Sequence, residues 1–170
     1  QNEFVKGGNS GLALPLLGLP VGIKDIFNTA DMPTARGSSI YSEYQPGNDA
    51  RVVTNLRRAG ANIIGKTSTA EFAVHYDVST RNPWDSQRTA GTSSSGSACS
   101  VAAMMTPVAL GSQTAASITR PSSYCGVVGY KPSFGLVPRT AMLKTTDTLD
   151  TIGWISRSTN DALLLLDHLR

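Results

Sequence analysis

Apolar positions along the chain change their period several times, and each change marks a different element. In LeuProValGlyIleLysAspIlePhe (19–27), Val21, Ile23 and Ile26 are apolar around a single lysine, which predicts a strand. Residues 1–16 are polar and Gly-rich and read as a loosely held lead-in, and residues 28–48, with Pro33, Gly37, Pro46 and Gly47, as a long excursion. Val52, Val53, Leu56 and Ala59 share one face of a helix that starts near Asn48–Asp49 and stops at Gly60. AsnIleIleGly (62–65) follows as a short buried strand. Ser68-Thr-Ala-Glu71 has the form of a capping box opening another helix. A polar loop over 76–95 runs into an apolar small-residue segment, 98–105, where Ala and Met favour helix. Residues 107–111 and 126–130 read as strands, and Ser158-Thr-Asn-Asp161 caps a last helix over 162–169. Helices alternating with short apolar strands predict an α/β chain with a mixed, largely parallel twisted sheet flanked by helices.

Composition narrows the function. At 170 residues the chain is long enough to bury a core as one domain, 1–170, with no repeat or linker dividing it. Its net charge of +3 comes from basic residues scattered along the chain, with only Arg57 and Arg58 adjacent, which argues against nucleic-acid binding. Cys99 and Cys125 form no disulfide framework or zinc spacing, and their apolar surroundings read as those of buried thiols, not reactive ones. No apolar run approaches a membrane span and no secretory pattern opens the chain, so the expected location is cytoplasmic.

Three segments can carry chemistry. Lys24 sits inside an apolar strand, so it either points outward, pairs with Asp25, or is buried and made a base by desolvation. Gly91-Thr-Ser93-Ser94-Ser95-Gly96-Ser97-Ala98 is an anion site, a catalytic loop supplying a hydroxyl, or a flexible linker. It lacks the ending of a P-loop and the spacing of a dinucleotide fingerprint. Gly111-Ser-Gln-Thr-Ala-Ala-Ser117-Ile-Thr-Arg-Pro121 presents a serine after small residues whose N–H groups can hold an oxyanion. Serine needs a base to be a nucleophile, and neither His75 nor His168 has an evident carboxylate partner, so a lysine base is the natural alternative.

Together these segments resemble the amidase-signature family, from about residue 17 to the C-terminus. GlyLeuProValGlyIleLysAsp (18–25) is similar to the family's lysine strand, and 59–72 to the helix–strand–helix step after it. Residues 91–98 match its Gly/Ser-rich signature, and 117–135 its nucleophile segment and exit. The resemblance implies an amidase: Lys24 as base, Ser93 as the bridging serine held on a cis peptide, and Ser117 as nucleophile. It further implies backbone N–H groups around Thr114, Ala115, Ala116 and Ser117 as the oxyanion hole, with Ser94 and Ser95 supporting the relay. No metal or cofactor is implied. The expected partners are a small-molecule amide substrate and at most a second copy in a homodimer, with no nucleic acid and no membrane. Arg120, one place later than the arginine of many members, meets a substrate carboxylate or serves as a structural ion-pair residue.

Some positions depart from the family pattern. Thr92 and Ala116 stand where glycine is usual, and a position that needs positive φ would be strained by their Cβ atoms. Ser95 stands where many members have glycine. Gln113 replaces the aspartate common in the glutamine-hydrolysing component of tRNA amidotransferases. Family members are much longer, so the chain reads as the N-terminal and central portion of the domain. Two further readings stay open: a non-catalytic remnant of an amidase fold, and that glutaminase component.

Overall fold

The computed structural model describes residues 14–74 and 78–170. Its strands are β1 (Pro20–Lys24), β2 (Asn62–Thr67), β3 (Val108–Gln113), β4 (Val128–Tyr130) and β5 (Thr151–Ser156). The helices are α1 (Arg51–Arg58), α2 (Ser95–Ala102), α3 (Thr119–Cys125) and α4 (Thr159–Leu169). The strands form one sheet in the order β2-β1-β3-β5-β4. β1 is parallel to β2 and β3, while β5 runs antiparallel to both β3 and β4. A helix carries the chain back between β1 and β2, β2 and β3, and β3 and β4, so these four strands point the same way. No α-helix separates β4 from β5, and β5 is the one reversed strand. The sheet is mixed and largely parallel, as the alternation predicts.

Helices cover both faces. Val52, Val53 and Leu56 of α1 pack with Ala162, Leu165 and Leu169 of α4 against Val21, Ile23, Val108, Leu110, Ile152 and Trp154. On the other side Ala98 and Val101 of α2 and Cys125 of α3 meet Ala109, Ile118 and Ile155. This second core is built from small side chains, so its helices lie close to the sheet. Gly96 shows how close: a Cβ there would stand 2.3 Å from the Ser68 backbone nitrogen.

Several expectations change. The strand at 62–65 forms, as β2, but it is not buried: it lies at the edge of the sheet, with Ile64 exposed. Ser68–Glu71 opens no α-helix; a 3-10 turn spans Glu71–Ala73, with Ala70 at its N-cap and no side-chain cap. Phe72 and Ala73 both have positive φ, 49° and 61°, which ends the turn at once. The helix expected over 98–105 begins earlier and ends at Ala102, because buried serines form its first turn and Met104 turns left-handed at φ 58°. Strand β5 and helix α3 have no counterpart among the expected elements. All six β5 residues are buried, so the strand shows no apolar–polar alternation. The α3 sequence carries Pro121, but in the first turn, where a missing N–H breaks no intrahelical bond. The capping box at Ser158 forms as expected: Asp161 N donates to Ser158 Oγ, and Ser158 N donates to Asp161 Oδ2.

Candidate active site

Lys24 ends β1 and is fully buried. Period-2 alternation places it opposite Val21 and Ile23, but that face is not solvent: α2 covers it. Nor does Lys24 pair with Asp25, whose carboxylate takes the Lys66 ammonium at 2.8 Å. Lys24 Nζ instead lies 2.7 Å from Ser93 Oγ and 2.9 Å from Ser112 Oγ, donating to both. Burial pushes the Lys24 pKa down from 10.5 to about 7, and the Asp150 charge pulls the other way. A lysine in this environment is half-neutral near neutral pH.

Ser93 follows a cis peptide bond from Thr92, as the resemblance implies, and is fully buried. Its carbonyl accepts from Ala70 N at 3.2 Å. Ser94 stitches the serine loop to the end of β3, with Oγ donating to Ser112 O at 3.3 Å and accepting from Ser112 N at 3.4 Å. Ser94 N also donates to Ser117 O at 3.2 Å, which joins the two serine segments through their backbones. Gly91 presses on the same junction: at φ 80° it has the left-handed conformation, and a Cβ there would meet Pro121 Cα at 2.9 Å. Ser95 is different. Its hydroxyl is buried without a hydrogen-bond partner, so it gives Ser93 no side-chain support.

Ser117 is 9% exposed, whereas Lys24 and Ser93 show no exposed surface. Access from outside therefore falls to Ser117. Gln113 Oε1 accepts from Ile118 N and Thr119 N, both at 2.9 Å, and its Nε2 donates to Ala115 O. Among the described residues no acceptor takes the N–H groups of Ala115, Ala116 or Ser117. Free donors on a backbone held from both ends are what an oxyanion hole requires. Thr114, just before them, donates its Oγ1 hydrogen to Asp150 Oδ1. Neither Thr92 nor Ala116 has positive φ, so their Cβ atoms fit without backbone strain.

Two residues of this cluster could not be picked out from sequence. Ser112 is the second partner of Lys24, and only the parallel pairing of β1 with β3 brings it there. Asp150 is a buried carboxylate that accepts from Thr114, Thr145 and Thr146. Burial alone would raise its carboxyl, but these hydrogen bonds outweigh it and hold Asp150 below the ordinary range. Arg120 lies in α3, where its N–H donates to Ala116 O at 2.8 Å. His168 lies in α4, on the α1 side of the sheet, across from the layer that α3 belongs to. His75 lies outside the described residues. A cavity of about 410 Å³ is lined by Asp25, Ser68 and Thr69 among others, and by none of Lys24, Ser93 and Ser117. Among the described residues no three His, Cys, Asp or Glu side chains gather as metal ligands, and no helix is long and apolar enough to cross a membrane.

Comparison with known proteins places the chain in a family. A family model described as Amidase matches residues 6–170. A glutamyl-tRNA(Gln) amidotransferase subunit from Natranaerobius thermophilus is 45% identical over 98% of this chain, and its namesake from Carboxydothermus hydrogenoformans 46% over the same share. Each match covers 35% of the relative. Among solved structures, the glutamyl-tRNA(Gln) amidotransferase subunit of Thermotoga maritima superposes with a TM-score of 0.88 at 42% identity, over 90% of this chain and 35% of that one. The native peptide amidase of Stenotrophomonas maltophilia superposes at 0.86 and 38% identity, over 91% and 34%. The chain thus spans about a third of the length of the relatives it matches.

Proposed function

The chain belongs to the amidase family, and from that premise we propose that it carries the catalytic core of an amide-bond hydrolase working through a covalent acyl-serine. The observation that carries the proposal is the burial of Lys24 against Ser93 Oγ at 2.7 Å. With Nζ neutral, its lone pair accepts the Ser93 proton while its own hydrogens remain for donation, one of them to Ser112. Ser93 Oγ then takes the proton of Ser117, and Ser117 Oγ attacks the amide carbonyl carbon. The carbonyl oxygen becomes an oxyanion facing the free N–H groups of the 115–117 backbone. The relay returns its proton to the leaving amine, the C–N bond breaks, and water then hydrolyses the ester at Ser117.

A serine-directed fluorophosphonate tests this reading. The protein should gain one adduct, mapped to Ser117, and Ser117→Ala should gain none. Folded protein that stays unlabelled, or that is labelled on another serine, contradicts it.

A second reading is favoured by the names of the relatives. They are called subunits of a glutamyl-tRNA(Gln) amidotransferase, so the same chemistry would release ammonia from glutamine for a partner protein. That partner would stand in place of the homodimer expected from sequence, and a tRNA would enter through the assembly. Gln113, in place of an aspartate, weighs against this reading. Glutamine hydrolysis that rises on adding the partner proteins supports it; turnover of other carboxamides with indifference to glutamine removes it. The remnant reading loses the support it drew from Thr92 and Ala116, since neither position is strained.

A further inference from the structure

Cys99 and Cys125 are both free thiols, and the fold sets their Sγ atoms 3.9 Å apart. In sequence both read as buried thiols, yet only Cys125 is buried. In the structure, Cys99 lies on α2 and Cys125 closes α3, and the two helices pack together over the second core. Neither thiol has a part in the acyl transfer described above. Cys99 is partly exposed, with Sγ donating to Arg81 O at 3.1 Å, whereas Cys125 is buried and directed toward Ala90 O at 3.7 Å. An open thiol in contact with a sealed one is the arrangement in which the first reacts with a disulfide from solvent and the second resolves the mixed disulfide. A disulfide needs an S–S separation of about 2.05 Å, so the two sulfurs must close by roughly 2 Å. The hydrogen bond between the thiols also pushes Cys99 up and Cys125 down, so the pair gives up one proton more readily than two.

We propose that Cys99 and Cys125 form a reversible thiol–disulfide site that reacts with small-molecule disulfides. The Cys125 thiolate takes the Cys99 proton as Cys99 Sγ, the sulfur open to solvent, attacks one sulfur of RSSR, forming Cys99–S–S–R and releasing RS⁻. Cys125 gives that proton up again and its thiolate attacks Cys99 Sγ, the mixed disulfide breaks, and the second RS⁻ leaves. Both thiolates of the reagent take up the protons given by the two cysteines. The protein dithiol is oxidised by two electrons and RSSR is reduced to two RSH. The new bond would tie α2, which follows Ser93 and Ser94, to α3, which follows Ser117 and Ile118.

Glutathione disulfide is the suitable probe, because peroxide would also oxidise the exposed Met104 and Met105. The full chain is incubated with it, quenched with a thiol alkylator under denaturing conditions, and mapped by mass spectrometry. The expected product has lost two hydrogens, shows a peptide linking Cys99 to Cys125, and returns to the dithiol with dithiothreitol. Cys125→Ser should stop at one glutathione adduct on Cys99, and Cys99→Ser should be modified at least tenfold more slowly. A stable glutathione adduct on Cys99 in the unmutated protein would overturn the proposal, as would full alkylation of both thiols with no linked peptide. A Cys125→Ser protein that takes up no glutathione would overturn it equally.

Discussion

Lys24 Nζ stands 2.7 Å from Ser93 Oγ across 69 residues of chain, with no part of the lysine open to solvent. The contact exists because parallel strands β1 and β3 lie side by side while α2 brings the serine loop over them. The stability cost of such a lysine has a definite sign. Its pKa is about 7 in the fold against 10.5 in the unfolded chain, so between those values the unfolded state binds more protons. Stability from this group therefore rises with pH across that window, and below about pH 7 the whole penalty is present, on the order of 5 kcal/mol.

Lys24→Met removes that penalty and keeps the side-chain length. The variant is expected to be more stable than the parent at pH 6, and the gap should narrow as pH approaches 10. Chemical denaturation of both proteins at several pH values measures it. A gap that does not depend on pH would mean that Lys24 is not desolvated.

Asp150 is expected to act on Lys24 through charge and on Thr114 through hydrogen bonding. Asp150→Asn keeps an acceptor for Thr114 and removes the charge that raises the Lys24 pKa. The midpoint of the activity–pH curve should then move below that of the parent. A merely structural role would lower the plateau and leave the midpoint where it was.

Gly96→Ala tests the close approach of α2 to the segment after β2. The added Cβ would meet the Ser68 backbone nitrogen at 2.3 Å, so either the helix or the strand exit must shift. A loss of about 1–3 kcal/mol is expected by urea denaturation, the range typical of overpacking. A loss within error would show that the contact is easily relieved.

Much of this architecture can be read from the sequence, and what cannot has a common cause. Where one face of an element is polar, as in α1 with Val52, Val53 and Leu56 buried, periodicity finds it. The capping box at Ser158 is legible because it is local. β5 is hidden because all its positions are buried, and α3 because it is short and carries a proline. At the site, Lys24 alone has the sequence of an outward-facing strand lysine. Only the two serine segments make a base of it, and they do so through their order along the chain and their likeness to a family. Ser112 and Asp150 could not be found that way. Ser112 looks like any strand-end serine until β1 is paired with β3, and Asp150 like any loop carboxylate until three threonines close on it.

The central claim is that a neutral Lys24 activates Ser117 through Ser93, and the pH dependence of Ser117 phosphonylation tests it most directly. Using fluorophosphonate in excess on the protein, the rate constant should rise with pH to a plateau, with a midpoint near 7 set by Lys24. Lys24→Met should lose both the inflection and at least a hundredfold in rate. A rate that is flat from pH 5 to 9, or a Lys24→Met protein that labels as fast as the parent, would contradict the account.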